Sequence, residues 1–147
     1  MTCRGGATKT PGRRCRSPSA GQRNLALLKS PLKGSLAGLK DIFHGCGATT
    51  GKTAKFYVVL QPGHTIAIGQ TSNSFDSKHS IFWSTGANPK SYPTASGSKC
   101  VDDPDTHVEH MTNSGSAARK LWFVVNGYSS GAYGSFTLAW TISTAGD

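Results

Sequence analysis

Apolar side chains recur at every second position in five separate stretches, and a chain with that period buries them by forming strands. Phe56, Val58 and Leu60 alternate, and Ile66 and Ile68 come after the turn Gln61-Pro62-Gly63-His64. His79, Ile81 and Trp83 share one face after the polar turn Thr71-Ser72-Asn73-Ser74. Leu121, Phe123 and Val125 form a fourth set, and Phe136, Leu138, Trp140 and Ile142 a fifth. Thr106 to Met111 reads as a short edge strand after a polar loop from Ser84 to Ser98 that contains Pro89 and Pro93. Six or seven short strands separated by turns predict an all-β chain: an antiparallel β-sandwich, jelly-roll-like, with no heptad, internal repeat or βαβ unit.

Length and charge divide the chain. At 147 residues with 36% hydrophobic content and 18 glycines, one turn-rich β domain is the expectation. The net charge of +9 is concentrated at the start: eleven Lys or Arg against one acid as far as Lys55, then five bases against six acids. We therefore expect a basic, largely irregular and flexible N-terminal extension, residues 1–40, and a sandwich domain, residues 41–147. The basic arm comprises Arg4, Arg13, Arg14, Arg16, Arg23, Lys29, Lys33 and Lys40. Residues 1–23 have too little apolar surface to offset the entropy of ordering. Beyond them Leu25, Leu28, Leu32, Leu36, Leu39 and Phe43 recur at three- and four-residue spacing, but Pro31, Gly34 and Gly38 interrupt the stripe. A short helix before Pro31 and an irregular or strand-like remainder are expected, packed on the domain or, with Lys29, Lys33 and Lys40, resting on an anionic membrane surface.

No apolar run has the length of a transmembrane helix. The first residues, MTCRGGATKTPGRRCR, lack the apolar core of a secretory signal. That leaves a fragment or mis-started frame of a longer secreted protein, an organelle transit segment, or export without a standard signal. Of the four cysteines, Cys3, Cys15, Cys46 and Cys100, none forms a CxxC pair, which argues against a zinc knuckle. Cys46 and Cys100 flank expected strands and are the candidate disulfide, with two buried thiols as the other reading.

Several motifs come close to a chemistry and miss it. Gly45 to Thr53 ends in Gly-Lys-Thr, but the first glycine of a P-loop would have to stand at Cys46, and the next residues, AKFYVVL, form a strand and not the helix that would hold the anion. His107-Val108-Glu109-His110 fits neither zinc motif, because on a strand His107 and Glu109 take one face and His110 the other. GYSSG is not a nucleophile elbow and joins two antiparallel strands. No catalytic residues are assigned and the chain is not read as an enzyme. Asp102, Asp103 and Asp105, held by Pro104, gather hard oxygen ligands of the kind Ca²⁺ takes; an exposed Asp-Pro turn bonded to backbone N–H groups is the competing reading. Asp76 is expected to cap the turn of its own strand pair. Tyr92, Trp122, Tyr128 and Tyr133 lie near loops or opposite the core-forming alternation, suited to stacking on carbohydrate or an extended peptide; Trp122 is also open to being covered by the N-terminal segment.

Phe75-Asp76, then Cys100-Val101-Asp102-Asp103, then Asn126-Gly127-Tyr128 and Gly134-Ser135-Phe136-Thr137-Leu138 occur in an order that resembles the bacterial pre-peptidase C-terminal domain and related secreted β-sandwich modules. The resemblance spans about residues 44 to 143, and no single motif in it is specific. It implies a non-catalytic binding or accessory module of a secreted or cell-surface protein, with structural calcium as an option and a protein, a carbohydrate or a larger parent protein as partner. The family's signal peptide and opening strand are not matched here. The alternative is a small subunit of an organellar or nucleoprotein assembly whose basic arm, residues 1–40, contacts RNA or an acidic partner.

Overall fold

The structure is a computed structural model, and it describes residues 22–40, 43–45, 50–85, 89–90, 92–93, 97–102 and 104–144. The strands are β1 (Gln22–Asn24), β2 (Leu32–Ser35), β3 (Phe43–His44), β4 (Thr50–Gly51), β5 (Thr53–Leu60), β6 (Thr65–Asn73), β7 (Ser77–Trp83), β8 (Lys99–Val101), β9 (Val108–Thr112), β10 (Arg119–Gly127) and β11 (Ser135–Ser143). They form two sheets, β1-β5-β10-β7-β8 and β2-β11-β6-β9, with β3-β4 as a separate ribbon. All pairs are antiparallel except β1, which runs parallel to β5. The chain is a β-sandwich.

The alternation places the core. Ala54, Phe56, Val58 and Leu60 of β5, Ile81 of β7, and Leu121, Phe123 and Val125 of β10 face Ile66 and Ile68 of β6, Met111 of β9, and Phe136 and Leu138 of β11. Strands β7 and β10 are buried almost throughout, because a second cluster of Phe43, Phe82, Trp122 and Val124 covers the outer face of the five-stranded sheet, with Tyr57 and Tyr92 packed against it. The alternating pattern predicts one buried face; the interleaved Phe82, Trp122 and Val124 are why two form.

The N-terminal boundary differs from expectation. Residues 22–40, assigned by sequence to the flexible extension, supply an edge strand to each sheet: β1 pairs with β5 and β2 with β11. A single 3-10 turn, Leu25–Leu27, comes directly after β1 and is N-capped by the Asn24 side chain. The expected short helix before Pro31 and strand-like remainder are both present. The physical reason for the changed boundary is burial: Leu25 and Leu36 are 2% and 0% exposed and join the main core, with Leu28, Leu32 and Leu39 packed against it. Arg23, Lys29, Lys33 and Lys40 are thus exposed residues of the sandwich itself, whereas Arg4, Arg13, Arg14 and Arg16 lie outside the described residues.

The opposite open side is closed by charge. Glu109 points inward from the edge strand β9 and meets Lys99 of β8 at 3.7 Å, while Lys99 also donates to the His110 carbonyl. A buried carboxylate on an edge strand deters pairing with another chain. At the β9–β10 connection, buried Asn113 donates to the Leu60 and Ala117 carbonyls, both at 2.9 Å, and accepts from Gly115 N.

Candidate functional site

At one end of the sandwich the β10–β11 loop, residues 128–134, carries two exposed tyrosines on a fixed backbone. Tyr128 and Tyr133 are 43% and 48% exposed, among the large apolar side chains most open to solvent. The loop is short because Gly127 and Gly51 let main chains touch: a Cβ on Gly127 would strike the Ala132 carbonyl, and one on Gly51 the Gly127 carbonyl. Backbone bonds complete the seat. Gly127 N donates to Lys52 O at 3.0 Å, Tyr128 N to Asp76 O at 2.9 Å, and Ala132 N to Ser129 O at 3.0 Å. Across the β6–β7 turn Ser74 N donates to Ser135 O, and Ser135 N donates to Ser74 Oγ.

Each tyrosine carries a lysine. The Lys52 ammonium lies 5.3 Å from the Tyr133 ring centroid and the Lys78 ammonium 5.1 Å from that of Tyr128, both within cation–π range. Lys52 also donates to the Leu39 carbonyl, so the N-terminal segment helps position it. Lys78 is buried, and desolvation lowers its pKa against the opposing pull of Asp102 and Asp76. The result is an aromatic tip backed by two lysines on a loop held by backbone hydrogen bonds.

The structure distributes the sequence-derived candidates unevenly. Tyr128 and Tyr133 come together; Trp122 and Tyr92 do not join them. Trp122 is 1% exposed, inside the outer-face cluster against Tyr57 and beneath Lys120, which corrects its assignment to a binding surface: on β10 it alternates outward, but that face is covered. Tyr92 is half-buried edge-on against Phe82, and burial raises its pKa. Lys52, Lys78 and the Asp76 carbonyl were missed. A lysine beside His79, one position off the face that His79, Ile81 and Trp83 share, was the available signal.

The acidic turn is partly visible. Asp102 is exposed, and Asp105 accepts from Ser77 N through Oδ2 at 3.4 Å; Asp103 lies outside the described residues. Among the described residues no three His, Cys, Asp or Glu side chains come together in a metal-binding arrangement. His107 and Glu109 lie side by side, Nε2 to Oε2 3.3 Å. Gly51-Lys52-Thr53 runs from a two-residue strand into β5. Cys100 is not a free thiol; Cys3, Cys15 and Cys46 lie outside the described residues. No described helix is long and apolar enough to cross a membrane.

Fold and tip together define the class: a two-sheet, mostly antiparallel sandwich presenting a clamped aromatic loop at one end. No protein-family model matches the chain, and no characterised protein matches it by sequence. Among solved structures it is similar to PliG of Aeromonas hydrophila, described as a periplasmic lysozyme inhibitor of g-type lysozyme, with a TM-score of 0.53 and 19% identity over 83% of this chain and 96% of that one. At that identity the likeness establishes the shared fold.

Proposed function

We propose that the chain is a non-catalytic protein-binding module of the secreted or periplasmic space, acting as an inhibitor that seats its tyrosine tip in the cleft of a cell-wall glycoside hydrolase. The observation that carries this reading is the pair Tyr128 and Tyr133, exposed, each backed by a lysine, on a loop fixed at both ends. A fixed loop loses little entropy on binding, and tyrosines are favoured interface anchors. Glycoside hydrolases cleave with paired carboxylates in an open cleft, so a cationic aromatic tip complements them in shape and charge. The similarity to a periplasmic lysozyme inhibitor supports the same choice of partner. The resemblance to the pre-peptidase C-terminal domain enters only through the sandwich architecture, and the Cys46–Cys100 disulfide would suit the oxidising compartment.

The test is calorimetric titration with a g-type lysozyme, alongside lysis assays on cell walls. Tyr133→Ala should weaken binding by tenfold or more, on the order of 1.4 kcal/mol, while leaving thermal stability unchanged. Wild-type protein that neither binds nor inhibits the lysozyme would defeat this choice of partner, and binding indifferent to Tyr133 would defeat the tip.

A further inference from the structure

The outer face of the four-stranded sheet carries a groove of about 320 Å³, the volume of a small-molecule site. It crosses β2, β11 and β6 beside the β6–β7 turn. Phe136 and Leu138 face the core, so Thr137 between them faces out. The ladders set Lys33 of β2 on one side of Thr137 and Ser72 of β6 on the other. Neighbouring strands lie about 4.8 Å apart, so this row of an ammonium and two hydroxyls spans about 10 Å. Ser135 adds a third hydroxyl from the adjoining rung.

Two departures from a regular sheet make the groove. The first is a bulge: Leu138 opposes Gln70 but Thr137 opposes Ser72, leaving Thr71 as the extra residue. Simple alternation would send Ser72 into the core after Ile66, Ile68 and Gln70; the bulge turns it outward, in line with Thr137 and Lys33. The second is Gly34, where a Cβ would come within 2.7 Å of Phe136 Cζ. With hydrogen there, the Phe136 ring closes against the β2 backbone and supplies the apolar part of the lining.

The walls are held in place without a ligand. Ser74 N donates to Ser135 O at 2.9 Å and Ser135 N donates to Ser74 Oγ at 3.0 Å. Asn73 Nδ2 donates to Ser77 Oγ at 2.9 Å and to Gln70 Oε1 at 3.2 Å, which fixes the bulged end of β6. A site already held in shape loses little entropy on binding.

The lining selects the ligand. Among the described residues no carboxylate lines the groove, and Lys33 is exposed with no ion-pair partner. One ammonium balances one negative charge, which suits a carboxylate better than a dianionic phosphate. The hydroxyls of Ser72, Ser135 and Thr137 each donate and accept, as sugar hydroxyls do.

We propose that the groove over Thr137 binds a carboxylate-bearing saccharide, its carboxylate paired with Lys33 and its hydroxyls bonded to Thr137, Ser72 and Ser135. The site stands apart from the tyrosine tip, and neither reading needs the other. Backbone amide shifts of the isotope-labelled full chain are followed by NMR at pH 7 during titration with glucuronate, and with glucose and acetate as controls. Glucuronate should shift residues 33–35, 72–74 and 135–137 along a saturating curve, and glucose or acetate at equal concentration should shift them far less. Lys33→Gln should weaken glucuronate binding by about tenfold or more, and Thr137→Val should act in the same direction, both with unchanged thermal stability. Glucuronate that leaves these amides unmoved, or binds Lys33→Gln as it binds the wild type, overturns the proposal. An equal response to acetate would make the groove a plain anion site, and an equal response to glucose would remove the charge of Lys33 from recognition; either result also overturns it.

Discussion

Among single residues, Gly127 is fixed by the Ala132 carbonyl, so the loop that presents the tyrosines exists in this form only with hydrogen at that position. His79 makes stability depend on pH. Its pKa is lowered from 6.5 to about 4 by desolvation first and by His107 second. Because the folded value lies below the unfolded one, the unfolded chain binds the extra proton between them. Stability is at its full value above about pH 6.5 and falls by about 3 kcal/mol as pH drops to 4. Chemical denaturation from pH 7.5 to 4 should show this slope in the wild type and a flatter profile in His79→Leu; equal slopes would remove His79 as the cause. Alternation in the sequence puts His79 on one face with Ile81, but is silent on its having no hydrogen-bond partner among the described residues, which depends on the groups that the opposing sheet presents.

Among the elements, the N-terminal segment departs furthest from its local pattern. The Leu/Lys stretch shows a helical spacing broken by Pro31 and glycines, and it folds as a 3-10 turn and an edge strand. Leu36 and Leu27 separate a packed segment from a loose one. Leu36 is fully buried and Leu27 is 81% exposed. Leu36→Ala should cost about 3 kcal/mol and Leu27→Ala less than about 0.5 kcal/mol by thermal or urea unfolding. If both were silent, the segment would be an extension after all. The strands from β5 onward were legible because each carries its own alternation. β1 was not, and β2 was read only as an irregular or strand-like stretch, since three or four residues with at most one apolar side chain carry no period and their pairing partners are distant in sequence.

Over the molecule as a whole, charge and function part company. The basic excess precedes residue 56, while the described acids Asp76, Asp102, Asp105 and Glu109 lie between the β6–β7 turn and β9. The tip draws its cations from both regions, Lys52 from one and Lys78 from the other. Binding to an acidic cleft should therefore be steered: raising salt from about 50 to 500 mM should slow association by about tenfold and leave dissociation nearly unchanged, measured by surface plasmon resonance. A dissociation rate that carried the whole salt effect would contradict steering. The class of fold, the inward set on each long strand and the two tyrosines of the last loop were already written in the residue order, because they depend on local period and turn chemistry. The covering of Trp122, the closing of the sandwich by the N-terminal strands, and the placing of Lys52 and Lys78 on Tyr133 and Tyr128 came from packing in three dimensions. Those outcomes depend on which strands become neighbours, and neighbours are chosen by burial across the whole chain.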